Sequence, residues 1–173
     1  RKSQKSWKRL KELFQVSFLK DELIPKNLET QIIKFIKNEI KKYDLVIVND
    51  YGHGFLTGEI IKIICQRAKY LALNVQANSA NYGFNVITKY PRANFICIDS
   101  QEIRLATHDK YNKLPLLIKK IYSKMRCQDL IVTKGYEGSI SFSKGNFFET
   151  PSFTDKIVDR VGAGDALFAF TAP

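Results

Sequence analysis

The sequence has few cysteines, no long apolar run and no leader-like N-terminus. Its cysteines, Cys65, Cys97 and Cys127, are odd in number and form no Cys-x-x-Cys pair, which predicts reduced, mostly buried thiols. No apolar run approaches the length that spans a membrane, and the charged N-terminus lacks the apolar core of a signal peptide. These absences favour a cytoplasmic location without a membrane partner.

The sequence also lacks the patterns of common nucleic-acid-binding modules, although positive charge is in excess. The 28 Lys and Arg residues outnumber the 17 Asp and Glu residues, giving a formal net charge of +11. These basic residues are scattered, as on solvated helix faces, and no zinc-finger, RNA-recognition or helix-turn-helix pattern accompanies them. Nucleic-acid binding is therefore not favoured as the main role, whereas a basic surface would attract nucleotides and sugar phosphates.

Apolar segments alternate with amphipathic segments along most of the chain. At 173 residues and 45% hydrophobic content, the chain can bury a substantial core in one domain. The predicted buried strands are 44–49, 70–75, 94–98 and 129–133. The predicted helices are 28–42, 57 or 58 to about 69, and 115–125. A further strand is predicted at 13–18 and a hairpin around 144–146. This order predicts an α/β fold with a doubly wound, mostly parallel sheet and helices on both faces.

The segment 157–170 predicts a strand, a glycine turn and a helix N-terminus. The first N–H groups of a helix have no intrahelical partner and the helix dipole adds positive charge, so the amides of Gly162, Ala163 and Gly164 could surround a phosphate. Asp165 would lie beside that phosphate and could accept the proton of an attacking hydroxyl. Taken alone, the pattern fits a glycine turn with a helix-capping aspartate equally well.

Residues 159–165 resemble the Asp-Thr-x-Gly-Ala-Gly-Asp signature of the ribokinase-like, or PfkB, carbohydrate kinases, with Arg160 in place of the threonine. The resemblance implies a ribokinase-like fold, ATP and Mg²⁺ as cofactors, Asp165 as general base and the amides of 162–164 as anion hole. It covers the chain from about residue 13 onward. Family members carry an earlier segment with lid strands and a later segment that completes the adenine pocket, so residues 1–173 are expected to form a single domain fragment, incomplete at both ends.

A polar, glycine-rich loop follows the first buried strand. Ligands bind at the carboxyl ends of parallel strands, although a simple strand-to-helix connection would read the same way. Residues 50–54 resemble the Asp-Tyr-Gly-Lys-Gly segment of the heptose-7-phosphate kinase branch of the family, with His53 in place of the lysine. This likeness implies that Asp50, Gly52 and His53 contact the substrate.

The loop after the second strand, residues 76–85, is dense in amide side chains. An amide offers a donor and an acceptor together, which suits sugar hydroxyls, so Asn78 and Asn81 are candidate substrate contacts. Asn and Ser are also ordinary loop residues, and a hydrogen-bonded surface loop is the alternative.

Two further strand ends carry candidate cofactor contacts. Residues 99–102 resemble the family's Asn-x-x-Glu motif, which implies magnesium and phosphate contacts for Glu102 and, in place of the asparagine, Asp99; a helix N-cap is the alternative. Residues 132–138 resemble the Val-Thr-x-Gly-x-x-Gly segment near the nucleotide. The likeness implies nucleotide contacts for residues in this second segment, namely Thr133, Gly135 and Gly138.

Together these features predict an enzyme that transfers phosphate from ATP to a hydroxyl of a sugar or sugar phosphate, similar to the heptose-7-phosphate kinases. The alternative is a catalytically impaired module of a larger protein that binds a nucleotide or a sugar phosphate. The expected partners are ATP and a small sugar or sugar phosphate, and a homodimer is among the assemblies left open.

Overall fold

The computed structural model describes residues 22–153 and 162–172. The predicted strand at 13–18 and the first part of the glycine signature lie outside the described residues. The helices are α1 Lys26–Glu39, α2 Gly58–Arg67, α3 Ser100–Thr107, α4 Leu114–Met125 and α5 Ala163–Thr171, and the strands are β1 Leu45–Asp50, β2 Tyr70–Val75, β3 Phe95–Asp99, β4 Asp129–Thr133, β5 Ser139–Ser143 and β6 Asn146–Thr150. None of the helices in these ranges has the length and hydropathy that a membrane crossing requires.

The strands form one mixed sheet in the order β1-β2-β3-β4-β5-β6. Strands β1 to β4 are parallel, and β5 and β6 add an antiparallel hairpin at one side. The carboxyl ends of the four parallel strands therefore meet at one edge of the sheet. The predicted mostly parallel α/β sheet is confirmed.

Helices cover both faces of the sheet, as predicted. Alternate side chains of a strand point to opposite faces, and Leu71 and Leu73 of β2 join the core beneath α1 to α4. Ala72 lies in a second, smaller core on the opposite face, where α5 packs. There the ring of Phe168, which is 1% exposed, stacks on that of Phe95 with 6.0 Å between centroids.

The three cysteines are free and buried, as predicted. Burial is the main cause that raises the pKa of Cys97 and of Cys127 to about 12. Both thiols are therefore protonated, and poor nucleophiles, at neutral pH.

The predicted hairpin is confirmed, with a two-residue loop formed by Lys144 and Gly145. Their φ angles are 48° and 84°, and positive φ at both central residues is typical of the turn that matches the right-handed twist of a β-hairpin. Asn146, which was expected in the loop, begins β6.

Gly138 lies where two backbone segments nearly touch. Its φ is 88°, and a Cβ atom at this position would lie 2.0 Å from the carbonyl oxygen of Thr150. The fold thus requires glycine here, independently of any contact with a nucleotide.

We expect Gly138→Ala to lower the free energy of unfolding by more than about 2 kcal/mol, because it combines a positive φ with a backbone collision. Gly145→Ala is the matched control, since its φ is 84° but an added Cβ would meet no atom within 4 Å. In this control the free energy of unfolding should fall by only about 1 to 2 kcal/mol. Urea unfolding of both variants measures the difference, and equal losses would show that the contact with Thr150 is easily relieved.

Candidate active site

The predicted site residues come together at the carboxyl edge of the parallel strands. Asp50, Asp99 and Thr133 are the last residues of β1, β3 and β4, and the register pairs Asp99 with Thr133. Gln76 follows β2 directly. Asp165 lies in the first turn of α5, the helix that packs on the face of the sheet with the smaller core, and it reaches the same edge from that face.

Two side chains from neighbouring loops hold Asp165. Gln76 Nε2 donates a hydrogen bond to Asp165 Oδ1 over 2.7 Å, and the hydroxyl of Tyr51 donates to the same oxygen over 3.2 Å. Partial burial, together with the Asp165 carboxylate, raises the pKa of Tyr51, so this hydroxyl stays a donor. Among the described residues, none donates a hydrogen bond to Asp165 Oδ2.

The glycine turn forms the N-terminus of α5, as predicted. Gly162 is the N-cap with φ 76°, and its carbonyl accepts the first helical bond from the amide of Ala166 over 2.9 Å. Residues 162–164 are exposed, and a Cβ added at Gly162 or Gly164 would meet no described atom within 4 Å. Phosphate binding by these amides stays a prediction.

The carboxylates of Asp165 and Glu102 are held by consecutive residues. Gln76 binds Asp165 through its side chain, and the backbone amide of Ala77 donates to Glu102 Oε1 over 3.0 Å. A single short segment therefore links the expected base with the expected magnesium-side carboxylate.

Asp99 and Glu102 form a capping box at the start of α3, which is the structural alternative that the sequence left open. Asp99 Oδ1 accepts from the amides of Gln101 and Glu102, both at 2.7 Å, and Glu102 Oε2 accepts from the Asp99 amide at 2.8 Å. Asp99 is nevertheless exposed, and its Oδ2 accepts no bond from the described residues.

Two carboxylates suit Mg²⁺, which usually keeps several waters and binds through one or two carboxylates and substrate phosphates. Within residues 22–153 and 162–172, no cluster of three or more possible ligands is present that could hold a metal by itself. The carboxylates of Asp99 and Glu102 are thus compatible with a magnesium ion whose other ligands are waters and phosphates.

Burial raises the pKa of Glu102 to about 7, and the adjacent carboxylate of Asp99 adds to the effect. The hydrogen bonds from the amides of Asp99 and Ala77 favour the ionised form and oppose the rise, but loss of hydration outweighs them.

Asp50 is buried and its carboxylate is already bound by the protein. Oδ1 accepts from the amide of Gly52 at 2.9 Å, while Oδ2 accepts from the hydroxyl of Tyr90 at 2.6 Å and pairs with Lys89 Nζ at 2.5 Å. This arrangement indicates a loop-organising role. Sequence reasoning missed Lys89 and Tyr90, because they lie in a short turn before β3 that carries no glycine signal or family motif.

A cavity of about 410 Å³ opens beside this cluster. Three of the predicted substrate contacts, Asp50, Gly52 and Asn81, line it together with Lys89. His53 is exposed and is not part of its wall. The cavity is therefore the candidate sugar site.

The amides of the loop after β2 bind backbone. Asn78 and Asn81 both donate to the carbonyl of Tyr51, at 2.9 and 2.6 Å. The alternative of a hydrogen-bonded loop is thus what the structure shows, and their contact with a sugar stays a prediction.

The expected nucleotide residues follow β4. Thr133 ends the strand next to Asp99, and Gly135 has φ 63° with no atom within 4 Å of an added Cβ. Gly138, in contrast, packs against Thr150. Nucleotide contact at these positions is a prediction, and for Gly138 the structure supplies a separate reason for glycine.

Stability should depend on pH through Glu102. Its folded pKa of about 7 lies above the ordinary value of 4.5, so the protonated carboxyl favours folding, and this contribution is present below pH 4.5 and lost as the pH rises to about 7. Without magnesium, the free energy of unfolding of the wild type should fall by roughly 2 kcal/mol between pH 4.5 and 7.5, and this fall should be absent in Glu102→Gln. Urea unfolding across this range measures it, with exposed Glu137→Gln as control. An unchanged pH dependence in Glu102→Gln would contradict the assignment.

Lys89→Met should destabilise the protein by about 3 kcal/mol, because it leaves the buried carboxylate of Asp50 without its cation. The side chains of Lys89 and Asp50 are 27% and 3% exposed. The matched control is Lys69→Met, whose partner Asp44 is 95% exposed, and its loss should stay below about 1 kcal/mol. Denaturant unfolding compares the two, and equal losses would argue against a buried ion pair at Asp50.

Comparison with known proteins identifies the family of this chain. The family model described as pfkB family carbohydrate kinase matches residues 55–171. The bifunctional protein HldE of Nitrobacter winogradskyi is 28% identical over 149 residues, which cover 84% of this chain and 30% of the relative. HldE of Campylobacter jejuni is 27% identical over 148 residues, covering 84% and 31%. The chain thus spans about three tenths of the length of these relatives.

A solved structure agrees in fold. Phosphofructokinase-2 from Escherichia coli, in complex with substrates and products, superposes with a TM-score of 0.64 at 11% identity, over 86% of this chain and 50% of that chain. The family match runs from the loop after β1 to the end of α5 and includes Glu102, Thr133 and Asp165. The chain therefore belongs to the pfkB family of carbohydrate kinases.

Proposed function

We propose that this chain carries the phosphate-transfer site of an ATP-dependent kinase for a sugar or sugar phosphate. One observation carries the proposal: Asp165 lies in the first turn of α5, next to the exposed residues 162–164, and is held at the carboxyl edge of the sheet by Gln76 and Tyr51. A carboxylate beside a helix N-terminus is placed to receive a proton next to a bound phosphate.

In this mechanism Asp165 Oδ2 accepts the proton of the attacking sugar hydroxyl. Phosphoryl transfer has a loose transition state, in which the hydroxyl loses its proton late, so a weak base suffices. A general base of this kind contributes about a hundredfold to ten-thousandfold to turnover.

The amides of residues 162–164 would bind the phosphate oxygens that gain charge in the transition state. Preorganised donors of this type each contribute about a hundredfold to a thousandfold. Asp99 and Glu102 would hold Mg²⁺, which neutralises phosphate charge when bound. Thr133 and Gly135 would contact the nucleotide.

We further propose a heptose 7-phosphate as the sugar substrate. The support is the likeness of residues 50–54 to the heptose-7-phosphate kinase segment and the similarity to the HldE proteins. The sugar would bind in the cavity lined by Asp50, Gly52 and Asn81. The positive charge of Lys89 is already matched by Asp50, so this cavity suits the uncharged ring, and exposed His53 lies nearer the solvent for a phosphate.

Asp165→Asn in the full-length protein should lower sugar-dependent ADP release by at least about a hundredfold, while ATP binding stays nearly unchanged. The measurement is ADP release with magnesium, ATP and a panel of hexoses, heptoses and their phosphates. The control is Asp44→Asn, a 95% exposed carboxylate just before β1 at the opposite edge of the sheet.

Release that is greatest with heptose 7-phosphate and vanishes in Asp165→Asn would establish both the reaction and the substrate. Loss of ATP binding together with turnover would instead make Asp165 structural. ATP binding without release for any sugar would favour a non-catalytic binding module.

A further inference from the structure

We propose that Gln76 and Tyr51 are positioning residues for Asp165, and that they determine which of its two oxygens receives the substrate proton. The inference rests on the proposed function, because it assigns how the base of that reaction is oriented. Both residues lie outside the glycine signature, and they reach Asp165 from loops that precede it by 89 and 114 positions.

The backbone of Gln76 is fixed on both sides. Its amide donates to the carbonyl of Asp50 at 2.9 Å, and its carbonyl accepts from Asn85 Nδ2, also at 2.9 Å. Asn85 is 5% exposed and also donates to the Asp50 carbonyl at 3.0 Å. The side chain of Gln76 therefore extends toward Asp165 from a backbone that is held in place by hydrogen bonds on both sides.

Tyr51 is fixed in the same way. Its carbonyl accepts from Asn78 and Asn81, and the residue before it is the buried Asp50. Only the side chain of Tyr51, which is 40% exposed, projects beyond this frame, and its hydroxyl ends on Asp165.

Both donors bind the same oxygen, Oδ1. A carboxylate at a helix N-terminus can otherwise turn about two side-chain bonds, and either oxygen could face the substrate. Two donors from different loops restrict that freedom and leave Oδ2 as the oxygen that accepts no hydrogen bond from the described residues. Reacting groups must be held close to the reactive geometry, and a displacement of about 1 Å can cost about a hundredfold in rate.

The two donors should contribute unequally. The bond from Gln76 is 2.7 Å long, whereas that from Tyr51 is 3.2 Å, longer than the upper end of about 3.0 Å that is usual for an O–H···O bond. Gln76 is also followed directly by Ala77, whose amide donates to Glu102. The same short segment therefore contacts both Asp165, the proposed base, and Glu102, the proposed magnesium-side carboxylate.

The test is steady-state ADP release by the full-length protein with ATP, magnesium and the hexose and heptose phosphates, for Gln76→Met and Tyr51→Phe. Both substitutions keep the approximate size of the side chain and remove the donor. We expect kcat to fall about tenfold in Tyr51→Phe and about ten- to a hundredfold in Gln76→Met, with KM for ATP within about twofold of wild type. Tyr111→Phe, on the loop between α3 and α4 and 91% exposed, is the control and should keep full activity.

A second readout separates positioning from a structural role. Placed in the Asp165→Asn background, both substitutions should cause almost no further loss, because residues that act through Asp165 have nothing left to orient. Wild-type kcat in both variants, or a loss that persists in that background with a raised KM for ATP, would overturn the inference. Inactive wild type, or unchanged turnover in Asp165→Asn, would instead overturn the proposed function and this inference with it.

Discussion

A buried carboxylate at the end of β1 fixes the loops on which the candidate site depends. Asp50 is 3% exposed, and an unpaired charge at such a position would cost several kcal/mol. The protein offsets this cost with the amide of Gly52, the hydroxyl of Tyr90 and the ammonium group of Lys89. The same residue binds Gln76 through its carbonyl and precedes Tyr51 in the chain. Both donors to Asp165 are thereby attached directly to Asp50.

The regular elements could be predicted because each carries a local signal. β2 and β4 have the predicted bounds, since buried parallel strands are continuously apolar and end at polar or glycine residues. The bounds of β1, β3, α2 and α4 shift by one or two residues, whereas α1, predicted for 28–42, begins two residues earlier and ends three residues earlier, at Glu39. Capping decides such boundaries; Asp99, for example, ends β3 and caps α3. The hairpin also follows from local chemistry, through Lys144 and Gly145.

Contacts across the sheet could not be predicted in this way. The pairing of Gln76 with Asp165 joins residues 89 positions apart, and the pairing of Asp50 with Tyr90 joins residues 40 apart. Neither has a pattern in the sequence, because ordinary polar residues form both. Where the sequence left alternatives open at Asp99 and Asn78, the structure shows the structural reading, a helix cap and a loop bond. A cap formed through Asp99 Oδ1 still leaves Oδ2, so the predicted ligand role is compatible with it.

The link through Gln76 and Ala77 has a consequence for how the site can change. Two carboxylates on different helices would ordinarily keep their separation only as well as the two helices keep theirs. Here Asp165 is bound by the side chain of Gln76, and Glu102 is bound by the backbone amide of Ala77, the next residue. Because these two donors are covalently connected, the distance between the carboxylates depends partly on fixed bond lengths. Substitutions in the core beneath α3 or α5 can therefore shift either helix slightly, while the hydrogen bonds from Gln76 and Ala77 restrain the distance between the carboxylates of Asp165 and Glu102.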